Sequence, residues 1–104
     1  AYQNKDKYLE TKIYRKQNPF KYKANVAAQR IPIKKGNHRH HWSYNPEHYK
    51  SIIELSIKDH NTVHRYLDYD KDFLMYRTKG GKLLDTCEKH FKYIREVLDI
   101  ENNN

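Results

Sequence analysis

The sequence predicts an α+β domain with a thin core, and three observations carry that expectation. The chain has 104 residues, which makes it one small domain at most. The stretch IIEL at 52–55 is short, apolar and β-branched, a strand signal. Residues 87–98 place Phe91, Ile94, Val97 and Leu98 at helical spacing. Hydrophobic residues make up 37% and the mean hydropathy is -1.20, so little apolar surface can be buried. Ten tyrosines supply much of what there is, and their hydroxyls must stay wet or paired. A core of this size commonly leans on a metal, a disulfide or a partner.

Taken in order, residues 5–16 are expected as a short helix with Leu9 and Ile13 on one side. KQNPFKYK at 16–23 reads as a loop broken at Pro19. ANVAAQR at 24–30 reads as a helical turn or two, stopped by Pro32. RIPIKKGNHRHHW at 30–42 reads as a hairpin turning at Gly36-Asn37, with His38, His40 and His41 on its second arm. NPEHYK looks like a helix start, with Asn45 as cap and Pro46 at the first helical position. After the IIEL strand, Ser56 caps a helix over Ile57–Leu67, and Asp59 three residues on completes a capping-box pattern. Val63 and Leu67 form its apolar side. FLMYRT-KGG-KLLDT reads as a second hairpin with Gly80-Gly81 in the turn. Asp85 or Thr86 then caps the final helix, and ENNN is a frayed polar tail.

The charge is uneven. Residues 1–42 hold 11 Lys/Arg against two acids, whereas residues 43–104 hold 10 against 11. The formal +8 therefore comes from the N-terminal part. There Lys12, Arg15, Lys16, Lys21, Lys23, Arg30, Lys34, Lys35 and Arg39 are interleaved with Tyr8, Tyr14, Phe20 and Tyr22. Positive charge with aromatic faces suits a phosphate backbone and stacked bases; without a partner it is a solvated basic arm. No apolar run has the roughly 18 residues of a membrane span, and no signal peptide is expected. A lone cysteine fits a reducing cytosol. The first residue, Ala1, reads as the start of a domain cut from something longer. Cys87 has no local His or Asp signature of a nucleophile and is assigned a structural role, although a helix start can lower a thiol pKa. TKGGK lacks the P-loop spacing, so its glycines are turn residues.

The seven histidines carry the chemistry. His60 and His64 are i and i+4 on the expected helix, so both rings leave one face as a two-point clamp for a divalent ion. His40 and His41 lie on an extended arm and must face opposite ways. One can bind metal while the other faces substrate. Metal-assisted phosphodiester hydrolysis needs that division: a Lewis acid and a base for water. Taken singly, a histidine is an ordinary polar residue; the adjacent pair plus the i,i+4 pair is much less common. His38, His48 and His90 lack such a partner set and are expected at the surface. Trp42 is expected to pack beside the site, and Tyr66, Tyr69, Tyr76 and Met75 to serve core or rim.

The pattern His40-His41 followed by His60-x3-His64 resembles the HNH nucleases of the His-Me finger superfamily, in their colicin-type and phage-borne branches. IIELSIKDHNTVH and HHWSYN add to the likeness, which covers roughly residues 30–67. The resemblance implies a small ββα-metal core with flanking helices and a C-terminal hairpin plus helix. It divides the chain into a basic segment at 1–29, the core at 30–68, bracing elements at 69–101 and a tail at 102–104. His40, His60 and His64 would hold one divalent ion (Mg2+, Mn2+ or Zn2+), and His41 would be the general base. Arg39 or Arg65 would steady the phosphate. The implied activity is endonuclease or nickase on DNA, most readily duplex, with RNA as the alternative polymer. The implied setting is the cytoplasm, that of the host for a phage protein. One departure stands out. Nine residues before His60, where the family carries a base-orienting asparagine, this chain has Ser51; Asn45 and Asn61 are the nearest amides. This leaves two rival readings: a catalytically weak or inactive nucleic-acid-binding module, and a phage protein acting on a protein partner.

Overall fold

The computed structural model describes residues 2–103, with side chains from Tyr8 to Asn103. Its elements in order are α1 (Tyr2–Gln17), α2 (Pro19–Ala28), β1 (Asn37–His41), a 3-10 turn (Pro46–His48), β2 (Ile52–Ser56), α3 (Ile57–His64), β3 (Leu67–Asp70), β4 (Met75–Thr78) and α4 (Cys87–Asn102). The fold is α+β, with two separate two-stranded antiparallel sheets, β1-β2 and β3-β4. No helix among the described residues is long and apolar enough to cross a membrane.

The expected loop at 16–23 is almost wholly helical. Pro19 occupies the first turn of α2, where its missing N–H is one of the donors a helix start leaves unpaired anyway. Only Asn18 separates α1 from α2. The first helix also extends to Tyr2–Gln17, beyond the expected 5–16.

The hairpin expected over 30–42 does not form. Residues 31–36 carry no strand, and β1 pairs instead with β2, in the register His40 opposite Ile53 and His41 opposite Ile52. Gly36, at φ +88, turns the chain into β1. Glu54 of β2 then ties the strand start in place, accepting from the Lys34 backbone N–H at 2.8 Å and from Asn37 Nδ2 at 2.7 Å. The connection between the two strands is wide enough to hold the 3-10 turn. Asn45 makes no side-chain cap there. Its amide donates to Ser43 Oγ and to the Phe73 carbonyl, each at 3.0 Å.

The capped helix expected after IIEL is present. Ser56 Oγ accepts from the Asp59 N–H at 3.1 Å and starts α3. It ends at His64 rather than Leu67, because Leu67 begins β3. That strand, LDYD, was not expected; its two acids mask the apolar alternation. β3 pairs with β4 across a turn at 71–74, where Leu74 adopts φ 57. The Gly80-Gly81 reversal does occur, with the Thr78 N–H donating to the Lys82 carbonyl at 2.9 Å. Its return arm makes a single bridge, Arg77 to Leu83, and no strand.

Thr86 caps α4, its hydroxyl accepting from the Lys89 N–H at 3.1 Å. Ile94 and Val97 are buried, but Phe91 is 45% exposed. The stripe is offset from the expected one: His90, Ile94 and Val97, spaced i, i+4, i+7, face inward. Glu101 and Asn102 remain helical instead of fraying, and Glu101 accepts from the Tyr66 hydroxyl. Asn104, at the end of the expected tail, lies outside the described residues. The core joins Trp42, Tyr44, Ile53, Leu55, Val63, Leu67, Tyr76, Leu84 and Ile94 with Ala24 of α2. Each large side chain so buried contributes about 1.5–3 kcal/mol. Against this core sit β1 and α3, which carry five of the seven histidines.

Candidate metal centre

The order β1-β2-α3 lays a helix directly after a two-stranded sheet. Alternation along β1 sends His40 and His41 to opposite faces, and both are buried, at 1% and 2% exposure. On α3 the i,i+4 spacing stacks His60 and His64, with their Nε2 atoms 2.9 Å apart. The His40 ring lies 5.1 Å from His60 and 5.0 Å from His64, centroid to centroid. One nitrogen from each of the three falls within 4.8 Å of the others. The group contains no carboxylate.

Two more histidines adjoin it. His38, exposed on β1, brings Nδ1 to 2.9 Å from His60 Nδ1. His90, expected at the surface, is fully buried, with Nε2 2.7 Å from His40 Nε2. The sequence held a signal for it, since His90 shares the inward stripe of Ile94 and Val97. His48 is half-buried, its Nδ1 2.9 Å from Ser43 Oγ and its ring against Trp42.

Burial and crowding favour the neutral form of His40, His60, His64 and His90. Burial first, then the neighbouring histidines, push His40 down to about 2. Burial, then His64 and His38, bring His60 to about 4, and burial followed by His64 does the same to His90. His64 is lowered by burial and then by the charge of Lys21. Each neutral imidazole offers one N–H and one lone pair, so at neutral pH the group is a set of ligands without competing protons. His40 Nδ1 and His90 Nδ1 are buried with no hydrogen-bond partner. His40 thus keeps an unpartnered buried nitrogen while its ring groups with His60 and His64, a donor set a cation would complete. Three imidazoles fit Zn2+, Ni2+, Co2+ or Mn2+ better than Mg2+, which prefers oxygen.

His41 donates its Nε2–H to the Tyr49 carbonyl at 2.8 Å. Burial lowers its pKa, opposed by the carbonyls of Tyr49 and Ala24. Ser51, in the position of the family asparagine, instead accepts from Trp42 Nε1 at 2.8 Å. Asn45 is engaged with Ser43 and Phe73, and Asn61 is exposed on α3. Trp42 is buried beside the site, as expected. Cys87 starts α4, yet burial and then Glu88 raise its pKa, so no activated thiol results.

A cleft of about 270 Å3 lies along the outer edge of β1, where Arg39, His38, His41 and His60 meet Asn25 and Gln29 of the chain around α2. Arg39 is held there by the Ile31 carbonyl, which accepts from Nε at 2.9 Å and Nη2 at 2.5 Å. Of the other basic candidates, Lys12 and Arg15 on α1 lie over the rings of Tyr8 and Tyr22, at 5.0 and 4.4 Å. Lys21 on α2 lies 3.9 Å over Tyr69, and burial lowers its pKa. Lys16, Lys23, Arg30, Lys34, Lys35 and Arg65 are exposed, Arg65 at the end of α3. Compared with known proteins, the chain matches no family model, no curated protein and no solved structure.

Proposed function

We propose that the chain is a metal-dependent endonuclease or nickase of the HNH type, hydrolysing DNA phosphodiester bonds. The observation that carries this reading is the convergence of His40 from β1 with His60 and His64 from α3, nitrogen to nitrogen within 4.8 Å. A divalent ion held there would act as a Lewis acid on a phosphate oxygen. His41 is the base. The Tyr49 carbonyl fixes its proton on Nε2, so Nδ1 carries the lone pair that takes a proton from water. Its lowered pKa keeps the ring in the basic form at neutral pH. The cleft gives His41 and His60 a common border, with Arg39 beside them for a phosphate. DNA as the polymer follows from the resemblance; the basic, aromatic α1 and α2 supply contacts to its backbone.

A second reading has its own observation. His41 is only 2% exposed, with two carbonyls against its ring, and a base must reach its water. A chain in which it stays sealed would hold metal and bind nucleic acid without cutting.

Supercoiled plasmid incubated with Mn2+ or Mg2+ separates the two. The nuclease reading expects nicked product from the parent chain. It expects a loss of about 10²–10⁴-fold in rate for His41→Ala, with metal binding retained. Intact plasmid together with a persistent gel shift gives the binding module. Normal cutting by His41→Ala refutes the base assignment.

A further inference from the structure

We propose that His90 of α4 is a positioning residue of the metal centre: it accepts the Nε2 proton of His40 and thereby leaves the lone pair on His40 Nδ1, where it would be free to ligate. The inference rests on the metal reading of His40, His60 and His64 given above. It adds a residue that lies 50 positions beyond His40 and outside the β1-β2-α3 unit.

His40 Nε2 and His90 Nε2 are 2.7 Å apart, a hydrogen-bond distance, so one of them carries a proton and the other a lone pair. The contact is sealed: His90 is 0% exposed and His40 1%. Tyr76 packs against both rings, stacked on His40 at 5.8 Å and edge-on to His90 at 5.9 Å. Both Nδ1 atoms are buried without a partner. If His90 donates, His40 Nδ1 must bear an N–H with no acceptor and cannot ligate. If His40 donates, His40 Nδ1 is a bare lone pair, the one nitrogen of that ring left to ligate. Without a cation the two arrangements each orphan one N–H. A cation removes the tie, because only the second offers it a third nitrogen. Ligating histidines generally hand their other N–H to an acceptor that fixes tautomer and ring orientation. Here a second imidazole takes the place usually filled by a carboxylate or carbonyl.

The test uses the full chain and Zn2+. Long-range 1H–15N correlation on the Zn2+-loaded parent protein reads the tautomer of each ring. His40 is expected protonated at Nε2 and metal-shifted at Nδ1. A His40 ring protonated at Nδ1 overturns the proposal, and this measurement needs no variant to fold. In competition with a chromophoric chelator, His90→Leu, which has no acceptor, is expected to bind Zn2+ about 10–100-fold more weakly. His90→Gln, whose amide oxygen can accept, should recover most of that loss. Parent-like affinity in His90→Leu overturns the proposal, as does equal weakening in both variants. A parent chain that takes up no Zn2+ overturns the metal reading itself, a result distinguishable from failure of the His90 assignment alone.

Discussion

Replacing His64 by alanine tests the proposed metal centre separately from the rest of the fold. The ring is exposed at the end of α3, so its removal opens no cavity. Alanine is also the better helix former. In metal-free protein the change in stability should stay within about 1 kcal/mol, the worth of the lost contact between His64 Nε2 and His60 Nε2. His40 is a poor probe by comparison, since truncating a side chain 1% exposed would strand His90 Nε2 as well. With Zn2+ at about 100 times its Kd, the parent chain should gain about 2.7 kcal/mol. For a domain near 100 residues that raises Tm by roughly 10–20 °C. His64→Ala removes one of three nitrogens. Even outer partners of a metal can be worth about 100-fold in affinity, and a loss of that size leaves the ion near its Kd. The remaining gain is then about 0.4 kcal/mol, a shift of about 2–3 °C. Circular dichroism melts of EDTA-dialysed protein, with and without added Zn2+, measure all four quantities. Equal Zn2+-induced rises in parent and variant would refute the reasoning, and so would a parent chain that does not respond.

Ile94→Ala, at a site 1% exposed in α4, should cost about 2–5 kcal/mol, read as a lower urea midpoint with unchanged slope. Acid should destabilise the metal-free chain well above the carboxylate range. His60 and His90 titrate near 4 when folded, against 6.5 for the free side chain, so the unfolded chain binds the extra protons. Stability is therefore greatest above about pH 6.5 and falls as pH drops toward 4, with buried His90 contributing on the order of a few kcal/mol. Urea midpoints at pH 7.5, 5.5 and 4.5 check this, and a flat profile contradicts it. Changing Lys12, Arg15 and Lys16 together to glutamine should lower the salt slope of duplex binding by about 3, measured by gel shifts over a range of KCl. An unchanged slope would place the duplex elsewhere.

What could be read from the sequence was what is local. Ser56 and Thr86 are caps whose partners lie three residues away, and both bonds are present. The i,i+4 pair His60 and His64 is fixed by helix geometry, and the alternation of His40 and His41 by the strand. What escaped depends on partners distant in the chain. β1 had two possible mates, the segment before it and IIEL. The choice was made by Glu54, which reaches across to Lys34 and Asn37. Pro19 was read as a break when it is a helix start, because a proline stops a helix behind it and begins one ahead of it with equal ease. β3 was lost in the acids of LDYD. His90 was legible only through the phase of α4: a stripe drawn through Phe91 leaves it outside, and one drawn through Val97 takes it in.

The composition of the histidine group bears on what it would bind. A divalent ion held by carboxylates has part of its charge cancelled by the protein. His40, His60 and His64 are neutral donors with no acid among them, so an ion there keeps both positive charges for whatever else approaches. Cations also surround the group, although Glu54 lies opposite Arg39 in the sheet. Lys21 is close enough to depress His64, Arg39 shares the cleft with His41 and His60, and the residues up to Trp42 carry the whole net excess of positive charge. In a partly desolvated site such charges act strongly on an anion and repel other cations. On the function proposed above, a phosphodiester would meet both, with non-bridging oxygens for the ion and for the guanidinium. Three acids of the C-terminal half are paired elsewhere, Asp68 to Lys79, Asp70 to Arg77 and Asp85 to Lys89, on β3, β4 and ahead of α4.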